Sequence, residues 1–131
     1  MKNKFLAAAS LAMLLVSPTM AVPPASSAVG VQQTIAHRGA SSERPENTIA
    51  ALRRAIHVGA TATEVDVRTS ADHKLVLLHD ATLDRTSTGS GMISGLPLAE
   101  LRQLDAGSWF DRRYRRQTIP TLRAARVVCR G

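Results

Sequence analysis

Four residues set the chemical question: His37, Glu64, Asp66 and His79. Glu64 and Asp66 stand two apart in a stretch with a period of two from Ala62, where they alternate with Val65 and Val67. A strand there directs both carboxylates to one face. Paired hard oxygens of that kind suit Mg²⁺ or Ca²⁺. A cation so held binds phosphate oxygens and stabilises charge while a hydroxide or hydroxyl attacks phosphorus. His37 and His79 each follow a short apolar run, and imidazole, which titrates near neutrality, suits general base and general acid work. Arg38 adds a planar fork fitted to phosphate. Plainer readings exist for each: a hydrogen-bonded structural histidine, and the wet face of a half-buried sheet.

The elements that must position these residues are legible in outline. Thr34-Ile35-Ala36 reads as a short strand delivering His37-Arg38-Gly39. After a polar loop containing Pro45, Ile49, Leu52 and Ile56 recur at helical spacing, with Asn47 as N-cap and Gly59 closing the helix. Leu75 to Leu78 is a second apolar run, ending at His79-Asp80. Only Ser70 to His73 separates it from the acidic strand, and a parallel crossover needs about a dozen or more residues, so the two strands should pair antiparallel. Centring the turn on Ala71-Asp72 pairs Val65 with Leu78 and Val67 with Val76, with Glu64 opposite His79, and gives one apolar face. Ser87 to Gly91 reads as a flexible loop, and Pro97 opens a short helix carrying Leu98, Leu101 and Leu104. His57 and His73 read as surface residues.

Charge and cysteine bound the function classes. The formal net charge is +7, and Arg112, Arg113, Arg115 and Arg116 crowd around Tyr114. Such a cluster is either a solvated face or a surface for polyanions. Trp109 and Phe110 provide no repeated stacking platform of the kind single-strand binders use, so nucleic acid is not expected as a partner. The single Cys129 excludes an intramolecular disulfide and a cysteine-rich zinc site. At the N-terminus, Lys2 and Lys4 precede an apolar run from Phe5 to Val16, with small residues leading to Ala21 and Ala28. That pattern is a signal peptide and processing region over residues 1–28, which implies export to the periplasm or beyond. The run falls short of the roughly 20 apolar residues of a membrane span, so no transmembrane segment is expected after its removal.

Taken together, Ile35-Ala36-His37-Arg38-Gly39, Pro45-Glu46-Asn47-Thr48, Glu64-Val65-Asp66-Val67 and Leu78-His79-Asp80 resemble, in order and spacing, the glycerophosphodiester phosphodiesterase family. The likeness continues through Leu83, Arg85-Thr86, Gly89 to Gly91, Leu101 to Phe110 and Ile119-Pro120-Thr121-Leu122. The resemblance implies an α/β fold: the N-terminal part of a TIM (β/α)8 barrel of the phospholipase-C-like phosphodiesterase type. Residues 33–131 would form the partial domain, with 81–118 as the family's small insertion. It further implies metal-dependent hydrolysis of small-molecule glycerophosphodiesters to an alcohol and glycerol 3-phosphate. By the same resemblance His37 and His79 are the acid/base pair, Arg38 binds the substrate phosphate, and Glu64 and Asp66 are two ligands of a Ca²⁺ or Mg²⁺ ion.

The likeness ends after Leu122. There the family continues with an acidic amphipathic helix and a strand bearing a third, glutamate ligand; here Arg123 to Gly131 contains no acidic residue. A closed barrel takes roughly 250 residues, so an incomplete barrel is expected, with an exposed sheet edge, poor solubility and impaired hydrolysis. The alternative is a non-catalytic binding module whose basic patch meets anionic surfaces. A phospholipase-type lyase on the same barrel would be told apart by a cyclic phosphate product.

Overall fold

A computed structural model of the chain describes residues 33–130, and the leader expected over 1–28 lies outside them. Two short strands, β1 (Ile35–Ala36) and β2 (Ala62–Thr63), pair in parallel, with Ile35 against Ala62 and Ala36 against Thr63. The parallel pairing demands a crossover, and helix α1 (Ile49–His57) supplies it. Thr48, not Asn47, is the N-cap: its hydroxyl oxygen accepts the Ala51 N–H at 3.3 Å and its hydroxyl donates to the Pro45 carbonyl at 2.7 Å. Gly59 sits just past the C-cap at φ +79°, the left-handed position that glycine occupies without strain. The helix buries Ala51, Leu52 and Ala55, whereas Ile56, expected on the inner face, is 51% exposed at the stripe's edge.

The acidic strand is shorter than its alternation predicts. Regular pairing lapses from Glu64 to Asp66 and resumes in β3 (Val67–Thr69), which runs antiparallel to β4 (Leu75–Leu77). The pairing direction is as expected, but the register is shifted by one residue: Val67 faces Leu77 and Arg68 faces Val76. The cause is a three-residue loop, Ala71-Asp72-His73, closed by Ser70 N–H to the Lys74 carbonyl at 3.0 Å. His73, exposed as expected along with His57, takes a left-handed φ of +58° in that loop.

The expected register assumed a sheet buried on one face only, and β4 is buried on both. Val76 joins Leu78, Leu83, Ile93, Leu101, Ala106 and Ile119 in one core. Leu77 joins Leu52 and Ala125 in another. The first core is built by residues 81–118, whose backbone is irregular apart from the short α2 (Leu98–Leu101) and two single 3₁₀ turns. Pro97 stands at the N-cap of α2 in an extended conformation. The glycine loop is tied down: Leu83 N–H bonds the Gly91 carbonyl, Thr88 N–H bonds the Asp105 carbonyl, and Gly89 lies against Leu104. Chain 119–121 then returns beside β4, with Leu77 N–H donating to the Pro120 carbonyl at 2.9 Å.

The second core is completed by α3 (Leu122–Arg130). The Thr121 hydroxyl caps it by accepting the Ala124 N–H at 3.1 Å. Arg123 in its first turn opposes the helix dipole, so the helix is held by packing: Leu122, Ala125 and Val128 turn one face to α1 and β4. Among the described residues, no helix is long and apolar enough to cross a membrane.

Candidate active site

The His37-Arg38-Gly39 turn ends β1 with two consecutive left-handed residues, Arg38 at φ +54° and Gly39 at φ +77°. Gly39 is doubly constrained, because a Cβ there would lie 2.7 Å from the Ala51 carbonyl carbon and Cβ. The close approach lets Ala40 N–H bond the Ala51 carbonyl and fastens the turn to α1. The strained turn aims the Arg38 backbone N–H at Glu64 Oε2, 3.1 Å away. His37 Nε2 lies 3.9 Å from the same oxygen, with its side chain 70% exposed.

Asp66 is held by Asn47. The Asn47 amide donates to Asp66 Oδ2 at 2.9 Å, and Asn47 Oδ1 accepts the Asp66 backbone N–H at 3.1 Å. Asn47 manages this reciprocal clasp because it is buried and sits at φ +57°, a conformation asparagine tolerates better than most residues. Arg38 Nε stands 3.1 Å from Asp66 Oδ2 at an angle that makes no hydrogen bond, so this contact is one of charge alone. Its other arm reaches Glu46 Oε1 at 3.1 Å.

Glu46 extends the network toward the segment that follows β4. Arg85, from the segment after β4, clamps both Glu46 oxygens at 3.0 and 2.8 Å and both Asp80 oxygens at 2.8 and 3.1 Å. Arg85's hydrogen bonds, foremost, hold the Glu46 carboxyl below its ordinary range against the opposing pull of burial. Asp80 is depressed further, first by Arg85 and then by His79. The Arg85 guanidinium is pushed up in return, first by Glu46 and then by Asp80. Asp80 Oδ1 lies 2.6 Å from His79 Nδ1. An ionised Asp80 accepts a hydrogen bond from Nδ1–H, which orients the ring and leaves Nε2 outside that contact. Arg68 from β3 donates to the His79 carbonyl and steadies its backbone.

The structure therefore joins His37, Glu64, Arg38, Asp66, Glu46, Arg85, Asp80 and His79 in one chain of polar contacts. Glu46, Asp80 and Arg85 belong to motifs visible in the sequence but carry no assigned role there, and Asn47 reads only as a helix cap. Arg68 had no sequence signal at all. Arg38, expected to grip phosphate, is engaged here by two carboxylates. No group of three or more His, Cys, Asp or Glu is arranged to hold a metal among the described residues. Glu64 Oε1 and Asp66 Oδ1 nevertheless accept no hydrogen bond from the described residues, and two such hard oxygens fit part of a Ca²⁺ or Mg²⁺ shell.

Histidines and acids gather just past the ends of β1 and β4, the place where α/β barrels carry their active sites. Residues 37–130 match the Glycerophosphoryl diester phosphodiesterase family, and the chain belongs to it. It is 48% identical over 88 residues to a glycerophosphodiester phosphodiesterase of Caldanaerobacter subterraneus subsp. tengcongensis, a match covering 67% of this chain and 36% of that protein. A solved glycerophosphodiester phosphodiesterase from Agrobacterium tumefaciens aligns with a TM-score of 0.69 at 46% identity, covering 70% of this chain and 40% of that one. An Oleispira antarctica phosphodiesterase, solved with the product sn-glycerol-3-phosphate, gives 0.74 at 50% identity over 75% of this chain and 40% of its own. The chain spans less than two fifths of the length of these curated relatives. Its described residues are the N-terminal part of a TIM barrel, incomplete here.

Proposed function

We propose that this chain carries the acid–base rim of a metal-dependent phosphodiester hydrolase that cleaves glycerophosphodiesters to an alcohol and glycerol 3-phosphate. The observation that carries the reading is the run of polar contacts from Glu64 through Arg38, Glu46, Arg85 and Asp80 to His79, with His37 Nε2 3.9 Å from Glu64 and Asp66 beside Arg38. The product bound in the Oleispira relative supports the substrate class.

In this reading Glu64 and Asp66 hold a divalent cation, Ca²⁺ or Mg²⁺, which when bound neutralises phosphate charge as the transition state forms. His37, largely exposed beside Glu64, and His79, oriented by Asp80, exchange protons with the attacking and leaving oxygens. Arg38, held here by Glu46 and Asp66, would supply its guanidinium to the substrate phosphate. Segment 81–118 is the family's insertion, and it supplies Arg85 as a positioning residue. The leader pattern read over residues 1–28 supports a site of action outside the cytoplasm.

The test is release of glycerol 3-phosphate from glycerophosphocholine by the purified chain, with Ca²⁺ or Mg²⁺ and with EDTA. EDTA should abolish release, and His37→Ala and His79→Ala should each lower kcat/KM by about a hundredfold or more. Wild-type turnover in both variants would discard the reading, and a cyclic phosphate product would assign a lyase instead.

A further inference from the structure

The arginine cluster is left unused by the hydrolytic site and has a shape of its own. Arg112, Arg113, Arg115 and Arg116 line, with Ser108, an open cavity of about 520 Å³. Arg112, Arg115 and Arg116 make no ion pair among the described residues, while Arg113 pairs with Asp111 at 2.7 Å. Tyr114 stands between two guanidinium groups, Arg44 at 5.4 Å and Arg113 at 5.6 Å from its ring centroid. A fifth arginine, from the loop before α1, thus joins the patch.

Aromatic residues flank the same loop. Trp109 and Phe110 are 40% and 36% exposed, and their rings meet edge to face at 5.7 Å and 87°. The indole is fixed, since Trp109 Nε1 donates to the Ala106 carbonyl at 3.0 Å. The loop is closed tightly enough that a Cβ on Gly107 would overlap the Tyr114 carbonyl. Pinned, exposed aromatic rings beside several arginines match what an anionic lipid–water interface selects: guanidinium groups for phosphates and aromatic rings at headgroup depth. Edge-to-face rings offer no parallel platform for bases, which argues against single-stranded nucleic acid.

We propose that Arg112, Arg113, Arg115 and Arg116, with Trp109 and Phe110, form a docking face for an anionic lipid bilayer. This rests on the loop alone and is independent of the hydrolytic reading. Trp109 is the single tryptophan of the chain, so its emission reports the contact directly. The experiment mixes the full chain with vesicles of phosphatidylcholine alone, or with about a third phosphatidylglycerol, and follows Trp109 fluorescence and flotation.

The expected result is a blue shift and flotation with the anionic vesicles only, both suppressed by salt. Arg112→Ala and Arg115→Ala should each reduce the partition coefficient by about fivefold. The double Arg→Lys variant at these positions should retain most binding, which separates loss of charge from loss of fold. Equal binding to neutral vesicles, alanine variants that bind like the parent, or a preference for single-stranded DNA over vesicles at the same salt would overturn the proposal. Failure of the parent to float with anionic vesicles would overturn it too.

Discussion

At the scale of single residues, the candidate site is held by groups whose importance lies in conformation more than in identity. Asn47 looked like a helix cap because asparagine is a good one, yet it carries the clasp on Asp66 and leaves capping to Thr48. Nothing in its one-letter context distinguishes the two roles; its left-handed φ does. Asp80 yields a pH prediction. Its folded carboxyl is depressed by Arg85 and then by His79, so the stabilisation it contributes is present at neutral pH. That contribution fades below about pH 4, the ordinary aspartate range, and is gone once pH falls beneath the depressed value. Asp80→Asn should therefore be less stable than the parent in urea at pH 7, with the gap closing as the solution is acidified. A gap that widens in acid would contradict the assignment.

At the scale of elements, the antiparallel pairing of β3 and β4 was legible because so few residues join them, but the register was not. The period-two argument required a single buried face, and β4 buries Val76 and Leu77 on opposite sides. Of the covering residues, Leu101 lies in the short helix read after Pro97, but Leu83, Ile93 and Ile119 come from stretches without regular periodicity, so no local pattern announced them. The hairpin loop carries a testable strain. His73 is held left-handed at φ +58°, a conformation costing roughly 1–2 kcal/mol for a residue with a Cβ. Glycine avoids that cost but gains unfolded-state entropy, so His73→Gly should raise unfolding stability by about 0.5–1 kcal/mol. Denaturant midpoints check it; a lower midpoint for the glycine variant would show that His73 makes compensating contacts.

At the scale of the whole molecule, the described residues leave apolar side chains in water: Ile35 is 58% exposed, Val58 52% and Val127 66%. Where such groups adjoin on a surface, they promote association. Val127→Lys on the outer face of α3 should leave the melting midpoint close to the parent's, since surface changes stay within about 0.5 kcal/mol, while reducing light scattering at high concentration. Unchanged scattering would place the sticky surface elsewhere. The two cores and the rim are also mechanically joined through Arg85, which springs from segment 81–118 and grips Glu46 near α1 as well as Asp80 beside β4. Reciprocity follows from that bracing. Any proton or cation that captures those acids must loosen Arg85's hold by the same free energy with which the hold resists capture. Segment 81–118 thereby serves as ballast for the rim: its own packing tunes how readily the acids release their arginines to a competitor.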